Sequence, residues 1–349
     1  MNQKPRSILL IGNFLSSSLG TRSVSEDLCL RLLASGWQVI YASRRANRLL
    51  RLWDMLWVTW RFRRQYRAAN VDVFSGQAFR WAEMVSVLLR ALEKKYNLTL
   101  HGGGLPDFAA RHPRRVQRLL STASSVNTPS RYLQQAFRTI RPDIQWLPNG
   151  LDLAQYHPRE REYSQPRLVW LRAFHSTYQP QVAVEVLAHL RSEGWNCTLT
   201  MVGPDKHDGT YAAAVALAKD KNIWDFIQTP GAVEKAAVPA WLDQGDIFLN
   251  TTRFESFGVS VLEAAACGLP IVTTNVGELP YLWQDGVDAL LVPPDDPDAM
   301  ATAVQRILTE PGLAQRLAAN ARQKAQSFDW AAVLPMWEEL FQQMLAEAN

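Results

Sequence analysis

Cysteine is scarce: three in 349 residues, Cys29, Cys197 and Cys267, far apart and with no paired spacing. That excludes a disulfide framework and a cysteine-based zinc cluster, and it points to a reducing compartment. Long apolar runs are missing as well. The best stretches are short pieces such as Met84 to Leu89, well under the roughly 18 residues that span a bilayer. At the N-terminus, Lys4 and Arg6 precede only Ile8 to Ile11 before Gly12. That is too short for the apolar region of about 7–15 residues in a signal peptide, so a cytoplasmic location is expected. The six histidines form no cluster with metal-ligand spacing, and no metal site is expected. No Gly-x-Gly-x-x-Gly follows Ile11, and no acidic residue is suitably placed after the second strand, which speaks against a dehydrogenase.

Acidic residues are the scarce kind in the first half. Residues 1–150 hold 23 Lys plus Arg against 8 Asp plus Glu, a balance of +15, while the remainder carries −11 and the whole chain +4. One half is built to meet an anionic partner and the other is not. A hydrophobic share of 47% is ordinary for a globular chain, and the length suits two domains of comparable size.

Short apolar, β-branched runs alternate with segments of helical period, the pattern of βα units around a parallel sheet. Ser7 to Ile11, a helix carrying Val24, Leu28, Leu32 and Leu33, and Gln38 to Ala42 make one such unit. Val71 to Phe74, Tyr96 to Leu100, Ser125 to Asn127 and Ile144 to Leu147 are expected to complete a first sheet. The turn Leu147-Pro148-Asn149-Gly150 and the polar stretch up to Pro166 set a boundary, giving domains 1–150 and 151–329. Strands of a second sheet are expected at Leu168 to Leu171, Cys197 to Val202, Phe226 to Thr229, Ile247 to Asn250, Ile271 to Thr274 and Ala289 to Val292. The expected fold is therefore α/β, with two doubly wound domains. Ligands of such folds sit at the carboxyl ends of the strands, in the cleft where two such ends face one another. In residues 330–349, Trp330, Val333, Leu334, Trp337, Leu340, Phe341 and Met344 recur at helical spacing. A closing helix is expected there, packed back on the N-terminal domain and kinked or restarted at Pro335.

The chemistry concentrates after the run Ile247 to Asn250, in Phe254-Glu255-Ser256-Phe257-Gly258-Val259-Ser260 and the helix that follows. Gly258 lets backbone approach a ligand closely, and a helix opening near Ser260 presents unpaired N–H groups and partial positive charge to an anion such as a diphosphate. Glu255 lies in the loop and Glu263 about one turn inside the helix. Both carboxylates can point into one cleft and accept hydroxyl pairs of a sugar. Spacing alone leaves open a macrodipole glutamate and a solvated loop carboxylate.

The surrounding words are more specific: Glu255-Ser256-Phe257-Gly258, Leu262-Glu263-Ala264-Ala265-Ala266-Cys267-Gly268-Leu269-Pro270-Ile271-Val272, then Gly277-Glu278, Asp285-Gly286 and Leu291-Val292-Pro293. The chain here resembles the retaining glycosyltransferases of family 4, which share the GT-B fold of two Rossmann-like domains. The match is dense over residues 245–300 and looser elsewhere. The resemblance implies transfer of a hexose-type sugar from a nucleotide-diphosphate donor to an acceptor hydroxyl. The departing diphosphate helps deprotonate the acceptor on the same face, and no metal or other cofactor is required. It implies that Glu255 contacts the donor sugar, that Glu263 contacts the ribose, and that Phe257, Gly258 and Val259 offer backbone N–H groups. It also places the loop from Gly12 to Gly20 toward the donor phosphate and acceptor, His101 near the reacting sugar, and Gly231 near the base. Arg172 falls where the family has a diphosphate-binding arginine, but the companion lysine is missing: Ser176, Thr177, Tyr178 and Gln179 occupy its neighbourhood. Leaving-group charge then rests on Arg172, the helix start, and His175 or Lys206.

From Arg44 to Arg67 the chain holds eight arginines and one acid, Asp54, interleaved with Leu49, Leu52, Trp53, Leu56, Trp57, Trp60 and Phe62. Two placements are open for this amphipathic segment. It lies on a membrane surface with tryptophan at headgroup depth, or Trp53, Leu56, Trp57 and Trp60 pack on the sheet with the arginines solvated. Arg111, Arg114, Arg115 and Arg118 add to the basic half. The expected partners are a nucleotide-sugar donor and an anionic lipid-linked or polysaccharide acceptor, at the inner face of the cytoplasmic membrane. Nucleic acid is not expected, since no nucleic-acid motif appears. Rival readings are an epimerase or phosphorylase on the same fold and a non-catalytic sugar-nucleotide-binding scaffold.

Overall fold

The computed structural model describes residues 6–15, 23–159 and 165–347. By its contacts the chain divides into two compact units, residues 1–150 with 330–349, and residues 151–329.

The first unit holds a six-stranded sheet of β1 (Ser7–Ile11), β2 (Gln38–Ala42), β3 (Ala68–Val73), β4 (Lys95–Leu100), β5 (Ser125–Thr128) and β6 (Gln145–Trp146), in the order β2-β1-β3-β4-β5-β6. Every pairing is parallel. Because helices cover both faces, the strands read as near-continuous apolar runs: all five residues of β1 are buried. Two expected spans need correction. β3 runs from Ala68 to Val73 rather than Val71 to Phe74, because Ala68, Ala69 and Asn70 are small or polar and carry no strand period, yet all three are buried. Only Gln145 and Trp146 of the expected Ile144 to Leu147 are strand. In the first helix Leu28 and Leu32 are buried, while Leu33 is 46% exposed.

The second unit repeats the design with β7 (Arg167–Leu171), β8 (Thr198–Val202), β9 (Ile227–Gly231), β10 (Ile247–Asn250), β11 (Ile271–Thr274) and β12 (Leu290–Val292). Their order is β12-β11-β10-β7-β8-β9, again all parallel. β9 starts later than expected, since Trp224–Phe226 form a 3-10 turn, and it ends at Gly231. The sequence order reverses between β1 and β3 in the first sheet and between β7 and β10 in the second. These are the switch points at which doubly wound folds leave a crevice for ligand.

The last helix, Trp330–Glu347, belongs to the first unit and runs through Pro335 as one element instead of restarting there. Trp330, Val333, Trp337, Leu340, Phe341 and Met344 bury against Ile8, Leu10, Leu28, Leu32 and Trp37. The Trp37 indole donates to Glu338 Oε1 at 2.9 Å. Gly150 passes so close to this helix that a Cβ there would lie 2.4 Å from the Trp330 ring, which explains a glycine at the turn.

Candidate functional site

The switch point of the second sheet assembles from four strand ends. Arg172 directly follows β7, and Asn250 closes β10. The Arg172 guanidinium donates from Nε to Asn250 Oδ1 at 3.2 Å, pairs through Nη2 with Glu255 Oε2, and lies 5.1 Å over the Tyr178 ring. The side chains of Arg172 and Glu255 are 11% and 9% exposed. A pair this enclosed holds its geometry, because removing either partner strands a charge away from water. Backbone joins the remaining ends: Arg172 N–H donates to Val202 O at 3.0 Å and Gly203 N–H to Gly231 O at 2.9 Å. Arg172, Glu255 and Gly231 thus share one edge of one sheet.

Glu255 is fixed from its backbone as well. Glu278 N–H donates to its carbonyl at 2.9 Å, and a Cβ on Gly277 would lie 2.1 Å from that oxygen, with Gly277 at φ +56°. The Gly277-Glu278 word therefore has a mechanical reason: only glycine permits this approach in that conformation.

The helix Val259–Ala266 begins at Gly258, whose φ of +94° turns the chain into the helix without a side-chain cap. Of the expected backbone donors, Phe257 N–H turns back to Glu255 Oε1 at 3.3 Å, alongside Ser256 N–H at 3.0 Å. Among the described residues, Gly258, Val259 and Ser260 N–H have no protein acceptor, so the open set is shifted by one residue from the expected one. Three unpaired amides at a helix start form an anion site.

Glu263, one turn into this helix, is 4% exposed at its side chain. Its Oε1 accepts the Tyr156 hydroxyl at 2.7 Å and pairs with Lys235 Nζ. Burial first, and then the Glu263 carboxylate, push the Tyr156 pKa far up, so the hydroxyl stays protonated and donates. Glu263 Oε2 carries no protein hydrogen bond among the described residues. Sequence reasoning missed Tyr156 and Lys235, which lie 107 and 28 residues from Glu263 and belong to no shared pattern.

Of the two candidates for the place of the missing lysine, His175 is engaged in its own turn. It accepts Thr177 N–H at 3.1 Å on Nδ1 and lies 3.9 Å from Asp208. The Thr210 hydroxyl, then Ser176 N–H, hold the Asp208 carboxyl down at about 2. Lys206 is exposed, and no side-chain partner is seen for it among the described residues.

In the first unit, Gly12 follows β1 and His101 follows β4. His101 Nε2 lies 3.3 Å from Asp72 Oδ1, and its ring stacks on Phe74 at 5.1 Å. Gly20 lies outside the described residues. Among the described residues no group of three or more His, Cys, Asp or Glu could hold a metal ion, and no helix is long and apolar enough to cross a membrane.

The basic helix, Arg48–Arg61, buries Met55, Val58 and Thr59. Leu49, Trp53, Trp57 and Trp60 stand outward, 81%, 63%, 41% and 50% exposed. The packing of the three tryptophans on the sheet is thereby excluded. Trp53 and Trp57 stack on each other at 6.1 Å, and Arg63 lies 4.5 Å over the Trp60 ring. In the second basic cluster, Arg115 pairs with Glu83.

Two Rossmann-like α/β units in one chain define the GT-B class of fold. Residues 165–310 match the family described as glycosyl transferases group 1. That match covers less than half of the chain and falls within the second unit. It is similar to the D-inositol 3-phosphate glycosyltransferase of Frankia alni, 32% identical over 198 residues, covering 52% of this chain and 49% of that protein. It thus spans about half the length of that curated relative, and 64% of the one from Paenarthrobacter aurescens. Among solved structures, sucrose-phosphate synthase from Thermosynechococcus elongatus superposes with a TM-score of 0.80 at 18% identity, over 98% of this chain and 100% of that one. HepE of Anabaena, solved in complex with UDP and glucose, gives 0.77 at 16%, over 97% and 100%. At these identities the likeness establishes the fold.

Proposed function

We propose that this chain transfers a hexose-type sugar from a nucleoside-diphosphate donor to a hydroxyl of an anionic acceptor, lipid-linked or polymeric, with retention at the anomeric carbon. The observation that carries the reading is the buried Arg172–Glu255 pair beside the open amides of Gly258, Val259 and Ser260. The donor diphosphate sits against those amides and the Arg172 guanidinium, which take up negative charge as the bond from C1 to the phosphate oxygen breaks. Electrostatic stabilisation from backbone and arginine does the work that a cation does elsewhere. Two backbone N–H groups occupy Glu255 Oε1 and Arg172 occupies one lone pair of Oε2, so the remaining Oε2 lone pair accepts a hydroxyl of the donor sugar. Glu263 Oε2 accepts the ribose hydroxyls while Tyr156 and Lys235 hold Oε1, and the base lies by Gly231. The acceptor oxygen adds to C1 on the face the diphosphate leaves, and the acceptor proton passes to a diphosphate oxygen.

The curated relative acting on D-inositol 3-phosphate and the neighbour solved with UDP support this class of substrate. The acceptor side belongs to the basic first unit. There the outward stripe of Leu49, Trp53, Trp57 and Trp60, flanked by arginines, suits an anionic membrane face. Incubation of purified protein with radiolabelled UDP- and GDP-sugars, with and without acceptor-bearing membrane extract, tests the reading. Sugar incorporated only with acceptor supports transfer, product formed without acceptor points to an epimerase, and binding without turnover points to a scaffold.

A further inference from the structure

Asp72 is the buried carboxylate for which the scheme above has no use, and it stands at the other switch point. In the first sheet the order reverses between β1 and β3. Gly12 follows β1, Asp72 is the penultimate residue of β3, and His101 follows β4. The Asp72 side chain is 5% exposed. Among the described residues no lysine or arginine pairs with it. Its Oδ2 accepts the Ser25 hydroxyl, and its Oδ1 faces His101 Nε2 at 3.3 Å and accepts from Asn70 Nδ2 at 3.4 Å. Gly12 passes so close that a Cβ there would lie 2.3 Å from Oδ2. One carboxylate thus touches the first helix, the loop after β1 and the histidine after β4.

The direction of these bonds is fixed from behind. Asn97 Nδ2 donates to Asn70 Oδ1 and to Asn127 Oδ1, each at 2.6 Å, and the Thr99 hydroxyl lies 2.9 and 2.8 Å from the same two oxygens. All four residues are buried, and although Asn127 Nδ2 has no partner among the described residues, the bonds from Asn97 Nδ2 to Asn70 Oδ1 and from Asn70 Nδ2 to Asp72 Oδ1 set Asn70 with its oxygen toward Asn97 and its NH2 toward Asp72. An ionised carboxylate only accepts. In a neutral His101 ring, a proton on Nε2 completes the contact with Asp72 Oδ1, and Nδ1 is then the lone-pair nitrogen. The Phe74 stack and the bond from His101 N–H to Val73 O at 2.8 Å leave the ring little freedom.

We propose that Asp72 is a positioning residue: it holds His101 in the Nε2–H form, so that Nδ1 accepts a hydrogen bond from a substrate hydroxyl. This rests on the transfer reading above. The test is Asp72→Asn, read in two ways. Ring-nitrogen NMR of 15N-histidine protein, with His101 assigned by its loss in His101→Ala, is expected to show the Nε2–H form in the wild type and a tautomer mixture in the variant. In transfer assays kcat is expected to fall on the order of 10–100-fold, the scale of one hydrogen bond to a charged group, with donor KM nearly unchanged. The Asp72→Asn, His101→Ala double variant should be no slower than His101→Ala alone. Where Asp72→Asn does not fold, Asp72→Ser, which keeps a small polar group beside Ser25, is read the same way. An Nδ1–H form in the wild type, a tautomer indifferent to residue 72, or additive losses in the double variant would overturn the proposal. The NMR arm needs no substrate. A wild type inactive with every donor would therefore sink the transfer reading and the catalytic half of this one, while the ring nitrogens still decide whether Asp72 orients His101.

Discussion

Tyr156 and Glu263, 107 residues apart in sequence, meet through a buried hydrogen bond of 2.7 Å from the tyrosine hydroxyl to Oε1. The bond engages one carboxylate oxygen and leaves Oε2 without a protein hydrogen bond among the described residues. Tyr156→Phe removes the donor with little change of shape. It is expected to weaken nucleoside-diphosphate binding about 10-fold, near 1.4 kcal/mol, because the carboxylate loses its fixed orientation. Isothermal titration with UDP and GDP measures this, and kcat at saturating donor should hardly move.

Glu255→Gln keeps the size of the side chain and removes the charge that faces Arg172. Transfer is expected to drop at least ~100-fold in kcat, the scale of losing an electrostatic group at the reacting centre. Thermal unfolding should also show a loss approaching the ~3–5 kcal/mol that follows when one buried charge loses its partner. Full transfer by this variant at saturating donor would contradict the role given to Glu255.

Gly277→Ala places a methyl group 2.1 Å from the Glu255 carbonyl at a φ of +56°. The backbone of Glu255 must then shift. The expected outcome is a stability loss of about 1–3 kcal/mol from strain, together with a fall in transfer, although residue 277 has no chemistry of its own. Denaturant unfolding and the transfer assay read the two effects.

Trp53→Ala, Trp57→Ala and Trp60→Ala remove side chains 63%, 41% and 50% exposed, so the melting temperature should change little. Flotation with vesicles containing anionic phospholipid should fall with each substitution, and binding of the wild type should weaken as salt rises. Equal flotation with neutral and anionic vesicles would remove the membrane face from the account.

Burial pushes the Cys29 and Cys197 thiols up to about 11, and Tyr156 further. A folded-state pKa above the unfolded one means stability present below the unfolded value and lost as pH rises past it. Unfolded thiols titrate near ~8.5, so the melting temperature should begin to fall above that pH and continue toward 11. A Cys29→Ala, Cys197→Ala double variant should show a shallower decline than wild type.

What was legible in the sequence follows from what leaves a local trace. β1, β10 and β11, buried along their whole length, were readable to the residue, and so was the partly buried edge strand β2 through its β-branched and aromatic run Val39-Ile40-Tyr41. β3 was not, since its first half is Ala68-Ala69-Asn70, and Asn70 is inside only because Asn97 and Thr99 on the neighbouring strand receive it. At the site, Glu255, Gly258 and Glu263 stand in one continuous segment and could be found together. Tyr156, Lys235 and Asp72 could not, because topology and not spacing brings them to their partners. The helix from Arg48 to Arg61 shows a third limit. It carries apolar stripes on two sides, and helical period alone does not tell an inward stripe from an outward one.

The proposed transfer requires that an activated sugar be held at the start of the helix Val259–Ala266, between Glu255 and Glu263. Amide hydrogen exchange resolved at Gly258, Val259 and Ser260, with and without saturating nucleoside diphosphate, tests it most directly. Slowed exchange at these three amides, lost in Arg172→Ala, is the expected result. Nucleotide binding that leaves all three unchanged and protects another segment would contradict it.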